Sequence, residues 1–201
     1  MKFIGITGGV GAGKSAVLAY LKERDGVRVM LADEIAHDLM NPGTSCYEEI
    51  KKQFAGEDVF CEDGRLDREK LAAVIFSDGE KRVRLNGIVH PAVREYVVDA
   101  VRQERQKGSL KVLFLEAALL IEEHYDEICD EIWYIYTREE IRERRLMASR
   151  GYSREKVHQI FASQLGEEDY RRHCRVVIDN NGTAEETFSQ LERELKNMES
   201  E

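Results

Sequence analysis

Residues 8–15 read Gly8-Gly9-Val10-Gly11-Ala12-Gly13-Lys14-Ser15, a match to G-x-x-x-x-G-K-[ST]. They follow a short apolar run and precede a helical one, which is the setting that gives the pattern its meaning. Glycines in such a loop let successive backbone N–H groups turn inward on a phosphate without Cβ clashes, and the helix behind adds the positive end of its dipole. Lys14 is expected to reach β- and γ-phosphate oxygens, and Ser15 to ligate Mg2+. A chain organised around this loop has to supply a strand before it and a helix after it, so an α/β architecture is the first expectation.

The remaining sequence fits that expectation. Short β-rich apolar runs, at Lys2–Thr7, Val27–Leu31, Val112–Glu116, Glu131–Tyr136 and Arg175–Ile178, alternate with helical stretches, the pattern of a parallel sheet covered by helices on both faces. Capping patterns open helices at Ser77-Asp78-Gly79-Glu80, Thr137-Arg138-Glu139-Glu140 and Thr183-Ala184-Glu185-Glu186, running to about Ile88, Ser149 and Met198. About eighty residues separate the second strand from the third, far more than one crossover helix needs. That interval reads as helices at Glu34–Met40, Thr44–Phe54, Arg68–Phe76, Asp78–Ile88 and Ala92–Lys107, broken at Asn41-Pro42-Gly43, Glu62-Asp63-Gly64 and His90-Pro91. Gly108 fits a C′ glycine in the left-handed region, and Asn197–Glu201 read as a frayed end.

Charge narrows the function classes. Thirty Lys and Arg stand against 39 Asp and Glu, a net charge of −9, which disfavours a general nucleic-acid surface. Yet residues 138–175 hold nine Arg and one Lys against seven acids, so positive charge is concentrated where a phosphate-covering segment would lie. Cys46, Cys61, Cys129 and Cys174 show neither a CxxC pair nor zinc-ligand spacing, and are expected to be reduced thiols. The start of the chain is too soon broken by glycine for a signal peptide, and no apolar run approaches the ~20 residues of a membrane span. A cytoplasmic protein without membrane or nucleic-acid partners is expected, working as a monomer.

Among chains with this loop, a regulatory GTPase would show an Asn/Thr-Lys-x-Asp segment, and none occurs. A motor-type ATPase would end an apolar strand in Asp-Glu, whereas the third strand ends Phe114-Leu115-Glu116 with a single acid. The remaining class transfers a γ-phosphoryl group to a small acceptor and needs an acceptor-binding insertion, a basic lid and a carboxylate near the acceptor hydroxyl. Asp33, just past the second strand, can be that carboxylate or can cap the short helix after it; residue type leaves both open. Lid candidates are the arginines of 138–175, of which Arg142, Arg145 and Ser149 share one helical face, although singly each arginine also suits a solvated helix face.

At this point the residues resemble the dephospho-coenzyme A kinase family. The resemblance is carried by Ile4–Ser15, Ala32-Asp33-Glu34-Ile35-Ala36-His37, Asn41-Pro42-Gly43, Gly64-Arg65-Leu66-Asp67-Arg68, Leu85-Asn86-Gly87-Ile88-Val89-His90-Pro91, Leu119-Leu120-Ile121-Glu122 and Val177-Ile178-Asp179-Asn180-Asn181-Gly182. It implies ATP- and Mg2+-dependent phosphorylation of the ribose 3′-hydroxyl of dephospho-CoA. The fold it implies is a three-layer P-loop NTPase fold: a five-stranded parallel sheet with helices on both faces, a helical acceptor-binding insertion and a helical lid. Residues 1–33, 111–137 and 174–201 would form the nucleotide-binding core, 34–110 the insertion and 138–173 the lid. Carried onto this sequence, Asp33 is the catalytic base, with Lys14 and Arg145 stabilising the transferred group. ATP is held by Gly8, Gly9, Val10, Gly11, Ala12, Gly13, Lys14, Ser15, Ala16, Arg142 and Asn180, with the metal on Ser15. Thr7, Asp33, His37, Asn86, His90 and Arg94 bind the acceptor, His90 alternatively fixing a turn before Pro91.

Three positions depart from the family pattern: Ala118 where many members have Pro, the spacing of Arg145–Tyr152, and Cys174-Arg175 before the last strand. Two other readings stay open on the residues alone. One is a kinase for a nucleoside or nucleoside monophosphate; the other is a nucleotide-binding regulator whose insertion docks a partner protein.

Overall fold

The computed structural model describes residues 1–199. The chain divides into two compact units, one made of Met1–Met30 together with the chain from Lys107 onward, the other of Leu31–Gln106.

The first unit is built on a five-stranded parallel sheet of β1 (Lys2–Thr7), β2 (Val27–Leu31), β3 (Val112–Glu116), β4 (Glu131–Tyr136) and β5 (Val176–Asp179), in the order β2-β3-β1-β4-β5. Ile4 of β1 faces Phe114 of β3, Ile6 faces Trp133 of β4, and Tyr134 of β4 faces Val177 of β5. The central strands β1, β3 and β4 are apolar along nearly their whole length because both faces of a parallel sheet are covered. Phe3, Ile4, Ile6, Leu113, Phe114, Leu115, Trp133 and Ile135 are buried, and the Phe114 and Trp133 rings meet edge to face with centroids 5.3 Å apart. The first four strands have the expected bounds. The fifth lies one residue later than expected, although the Arg175 N–H still donates to Ile132 O at 3.1 Å.

The helices of this unit are α1 (Lys14–Lys22), α6 (Glu139–Arg150), α7 (Arg154–Ala162), α8 (Glu167–His173) and α9 (Ala184–Glu199). The capping pair at α9 is as expected: Thr183 N–H donates to Glu186 Oε2 at 2.8 Å and Glu186 N–H to Thr183 Oγ1 at 3.3 Å. That at α6 is not. Arg138 stands at the N-cap with no side-chain bond, and the Thr137 hydroxyl turns inward instead. Asn197 to Glu199 continue α9 rather than fraying, and Ser200 and Glu201 lie outside the described residues. All four cysteines are free thiols.

The second unit holds α2 (Ala32–Leu39), α3 (Ser45–Gln53), α4 (Arg68–Ser77) and most of α5 (Gly79–Lys107), packed around Ile35, Tyr47, Ile50, Phe54, Val59 and Leu71. Two expectations need correction. Asp78 rather than Ser77 caps α5, its Oδ1 accepting from Glu80 N–H at 2.9 Å and Lys81 N–H at 3.2 Å. The expected break at His90-Pro91 is absent, because α5 runs through Pro91 as one helix of 29 residues. Proline removes one helical hydrogen bond and costs roughly 3 kcal/mol. The buried stripe Leu85, Val89, Val93, Val97, Val101 repeats every four residues on both sides of it, and burial of that stripe offsets the cost. Gly108 follows with φ +67°, the left-handed stop expected of it. Among the described residues, no helix is long and apolar enough to cross a membrane.

Candidate functional site

In the first unit, β1 lies at the middle of the sheet, and the loops that leave the carboxyl ends of β1, β4 and β5 gather at one edge, where open α/β sheets bind ligands. The loop after β1 carries the glycine-rich motif. Gly8, Gly11 and Gly13 have φ of +148°, +83° and +88°, backbone that residues with a Cβ rarely adopt. Close approach of a side chain also marks Gly13, and it marks Gly9, which has no positive φ. A Cβ on Gly9 would lie 2.2 Å from Arg142 Nη2, and one on Gly13 would lie 2.3 Å from Asn180 Nδ2.

Those two side chains support the loop from behind. Arg142, only 8% exposed, donates through Nε to Val10 O at 2.9 Å and through Nη2 to Gln164 Oε1 at 2.7 Å, with its guanidinium 4.2 Å over the Phe161 ring. Burial lowers its pKa, yet a guanidinium stays charged at any ordinary pH. Gln164 Oε1 also accepts from Val10 N–H at 3.1 Å, so both polar groups of Val10 are held by the helical segment. Ala12 O receives Asn180 Nδ2 at 2.7 Å, Thr137 Oγ1 at 3.0 Å and Arg145 Nη1 at 3.3 Å. Arg145 Nη2 donates to Asn180 O at 3.0 Å.

At the start of α1 the Lys14 ammonium donates to Gly8 O at 2.7 Å and pairs with Glu116 Oε1 at 3.5 Å. Thr7 is buried, while Ser15 and Ala16 are exposed in the first turn of α1. From the arginine-rich segment, Arg142 and Arg145 hydrogen-bond to the phosphate loop. Arg154 pairs with Glu143 at 2.7 Å, Arg171 with Glu167 at 2.7 Å and Arg172 with Asp169 at 3.5 Å on the surface.

The second unit holds the other expected residues. Asp33 is the second residue of α2, exposed, with Leu31 at the N-cap and no side-chain cap bond. The capping role left open by residue type is therefore not the one it plays. His37, also exposed, lies one turn further on. Asn86, His90 and Arg94 are half-buried and spaced by four along α5, which puts them on one face. Since α5 is continuous, His90 fixes no turn before Pro91.

Sequence reasoning missed Gln164, Thr137 and Thr187, and noted Glu116 only as a lone acid. No local spacing marks the first three, because their partners lie 154, 125 and 7 residues away. Glu116 carries the signal that could have been used, an acid at the carboxyl end of the strand beside β1.

A family model described as "Dephospho-CoA kinase" matches residues 2–186. Dephospho-CoA kinase from Geobacter sulfurreducens is 40% identical over 192 residues, covering 96% of each chain. Among solved structures, TT1252 from Thermus thermophilus superposes with a TM-score of 0.77 at 32% identity, covering 98% of this chain and 97% of its own. Dephospho-CoA kinase from Campylobacter jejuni gives a TM-score of 0.74 at 20% identity, covering 98% of both chains, a likeness of fold.

Proposed function

The chain belongs to the dephospho-CoA kinase family, and from that premise we propose that it transfers the γ-phosphoryl group of ATP to the ribose 3′-hydroxyl of dephospho-CoA, giving coenzyme A and ADP. The observation that carries this reading is the family match over nearly the whole chain, residues 2–186.

The donor side is the glycine loop. Backbone N–H groups of the loop and of the first turn of α1 face the phosphates, and Lys14 exchanges Gly8 O and Glu116 for β- and γ-phosphate oxygens. Arg145 has two of its five N–H donors engaged behind the loop and keeps others for the transferring group. Such preorganised donors supply most of the acceleration in phosphoryl transfer. On the acceptor side Asp33 takes the proton of the 3′-hydroxyl as that oxygen attacks phosphorus and the bond to the β–γ bridging oxygen breaks. His37, Asn86, His90 and Arg94, with Thr7, bind the acceptor.

Mg2+ fits the oxygens available on this chain. The exposed Ser15 hydroxyl and the Glu116 carboxylate are hard donors. Among the described residues no group of three or more His, Cys, Asp or Glu is arranged to hold a metal, which suits an ion that keeps water and phosphate ligands. Bound there, it would neutralise charge on the β- and γ-phosphates.

ADP release with a panel of acceptors tests the reading. Dephospho-CoA should raise turnover far above ATP hydrolysis, while nucleosides and nucleoside monophosphates should not. Turnover raised by a nucleoside instead, or by an added partner protein without any acceptor, would contradict it.

A further inference from the structure

Ala12 and Gly13 share a peptide whose orientation decides whether the loop offers phosphate a donor or an acceptor. In a planar trans peptide the C=O and N–H point in opposite directions, so the direction of Ala12 O dictates that of Gly13 N–H. Glycine tolerates either sign of φ, which leaves this peptide free to flip unless something holds it. The flipped form would aim a carbonyl oxygen at a phosphate.

Three donors hold Ala12 O, and they come from the end of β4, from α6 and from the loop after β5: Thr137 Oγ1, Arg145 Nη1 and Asn180 Nδ2. The shortest bond is Asn180's, at 2.7 Å. Asn180 is 9% exposed, and its amide has one sensible orientation, because a carbonyl oxygen needs the NH2 end against it. Thr187 locks that orientation from the other side. Its hydroxyl donates to Asn180 Oδ1 at 2.8 Å, the shortest of its contacts. Asn180 N–H donates to Tyr136 O at 2.8 Å, and Asn180 O accepts from Arg145 Nη2 at 3.0 Å. Every polar atom of Asn180 thus has a partner inside the protein.

We infer that Thr137, Asn180 and Thr187 are positioning residues for nucleotide binding: they hold the Ala12–Gly13 peptide with its N–H toward the phosphate side of the loop. Asn180 contributes to ATP binding through this peptide rather than by touching the nucleotide. The inference rests on residues 8–15 being the nucleotide loop.

Direct titration calorimetry with ADP and Mg2+ tests it, using variants that add no charge. Asn180→Leu should weaken ADP binding roughly tenfold or more and Thr187→Val roughly three- to tenfold, as expected when a buried partner is removed. Thr187→Ser, which keeps the hydroxyl, should restore the wild-type dissociation constant to within about twofold. A merely structural role would lower the binding stoichiometry by reducing the folded fraction and leave the dissociation constant unchanged, and that result would overturn the inference. If Asn180→Leu does not fold, the Thr187 pair decides alone: a wild-type constant in Thr187→Val, or the same loss in Val and Ser, overturns it. Wild-type protein that binds no ADP would instead overturn the loop assignment, and the inference with it.

Discussion

Gln164 Oε1 accepts the backbone N–H of Val10 at 3.1 Å, tying the phosphate loop to a side chain 154 residues away. The same oxygen takes Arg142 Nη2 at 2.7 Å, and Arg142 Nε returns to Val10 O at 2.9 Å. The three groups close a ring around one loop residue, Val10, and couple the segment from α6 to Gln164 with the phosphate site.

Removing the shared acceptor should therefore be felt at the loop. Gln164→Ala leaves a buried guanidinium donor and a loop N–H without their partner, at a cost of about 1–3 kcal/mol in urea unfolding, and should raise KM for ATP more than KM for dephospho-CoA. Gln164→Glu keeps an acceptor oxygen in place and should recover most of the lost stability. Equal stability of the alanine and wild-type proteins would contradict the ring.

Lys14 and Asp33 are predicted to fail differently. Asp33→Asn keeps the side-chain shape but cannot take a proton, and should lower kcat on dephospho-CoA by about 10²–10⁴ while leaving KM for ATP within about twofold. Lys14→Ala removes charge from the transferring group and should be at least as damaging. Steady-state kinetics of both variants make the comparison, and undiminished turnover in Asp33→Asn would sink the general-base assignment.

Pro91 sits inside α5, where the helix lacks one backbone donor. Pro91→Ala restores the N–H to the Gly87 carbonyl and should stabilise the protein, by up to about 3 kcal/mol. Urea unfolding reads the effect, and a destabilised variant would mean that the ring's own packing outweighs the missing bond.

Burial pushes Cys174, Tyr134 and Tyr170 each up to about 12. All three stay neutral in the folded state at pH values where an unfolded thiol, near 8.5, and unfolded tyrosines, near 10, have ionised. Over that range the unfolded state binds fewer protons, so stability falls as pH rises from about 8.5 toward 12. The urea midpoint should decline across this window, and Cys174→Val should flatten its first part, between about pH 8 and 10. A midpoint that rises with pH would contradict the sign.

What was legible in the sequence was local or repetitive. Strands β1, β3 and β4 showed as continuous apolar runs because a parallel sheet buries both faces of its central strands, and Thr183 with Glu186 showed as a capping pair because both partners lie within one turn. The phosphate loop was readable for the same reason, eight consecutive residues. The errors share a different cause. At Pro91 a local breaker lost to a buried stripe that extends well beyond it. At Thr137 a capping pattern lost to a carbonyl 125 residues away. Gln164 was invisible because its two partners are brought to it by the fold alone. Asp33 was legible as a carboxylate after a strand, and only the helix start at Ala32 removed its capping role.

The most direct measurement is phosphorus NMR of the product formed from dephospho-CoA and ATP with Mg2+. One new phosphomonoester on the ribose 3′-oxygen, formed in step with ADP, is the predicted result. ADP formed without a phosphomonoester, or a phosphomonoester at another position, would contradict the account.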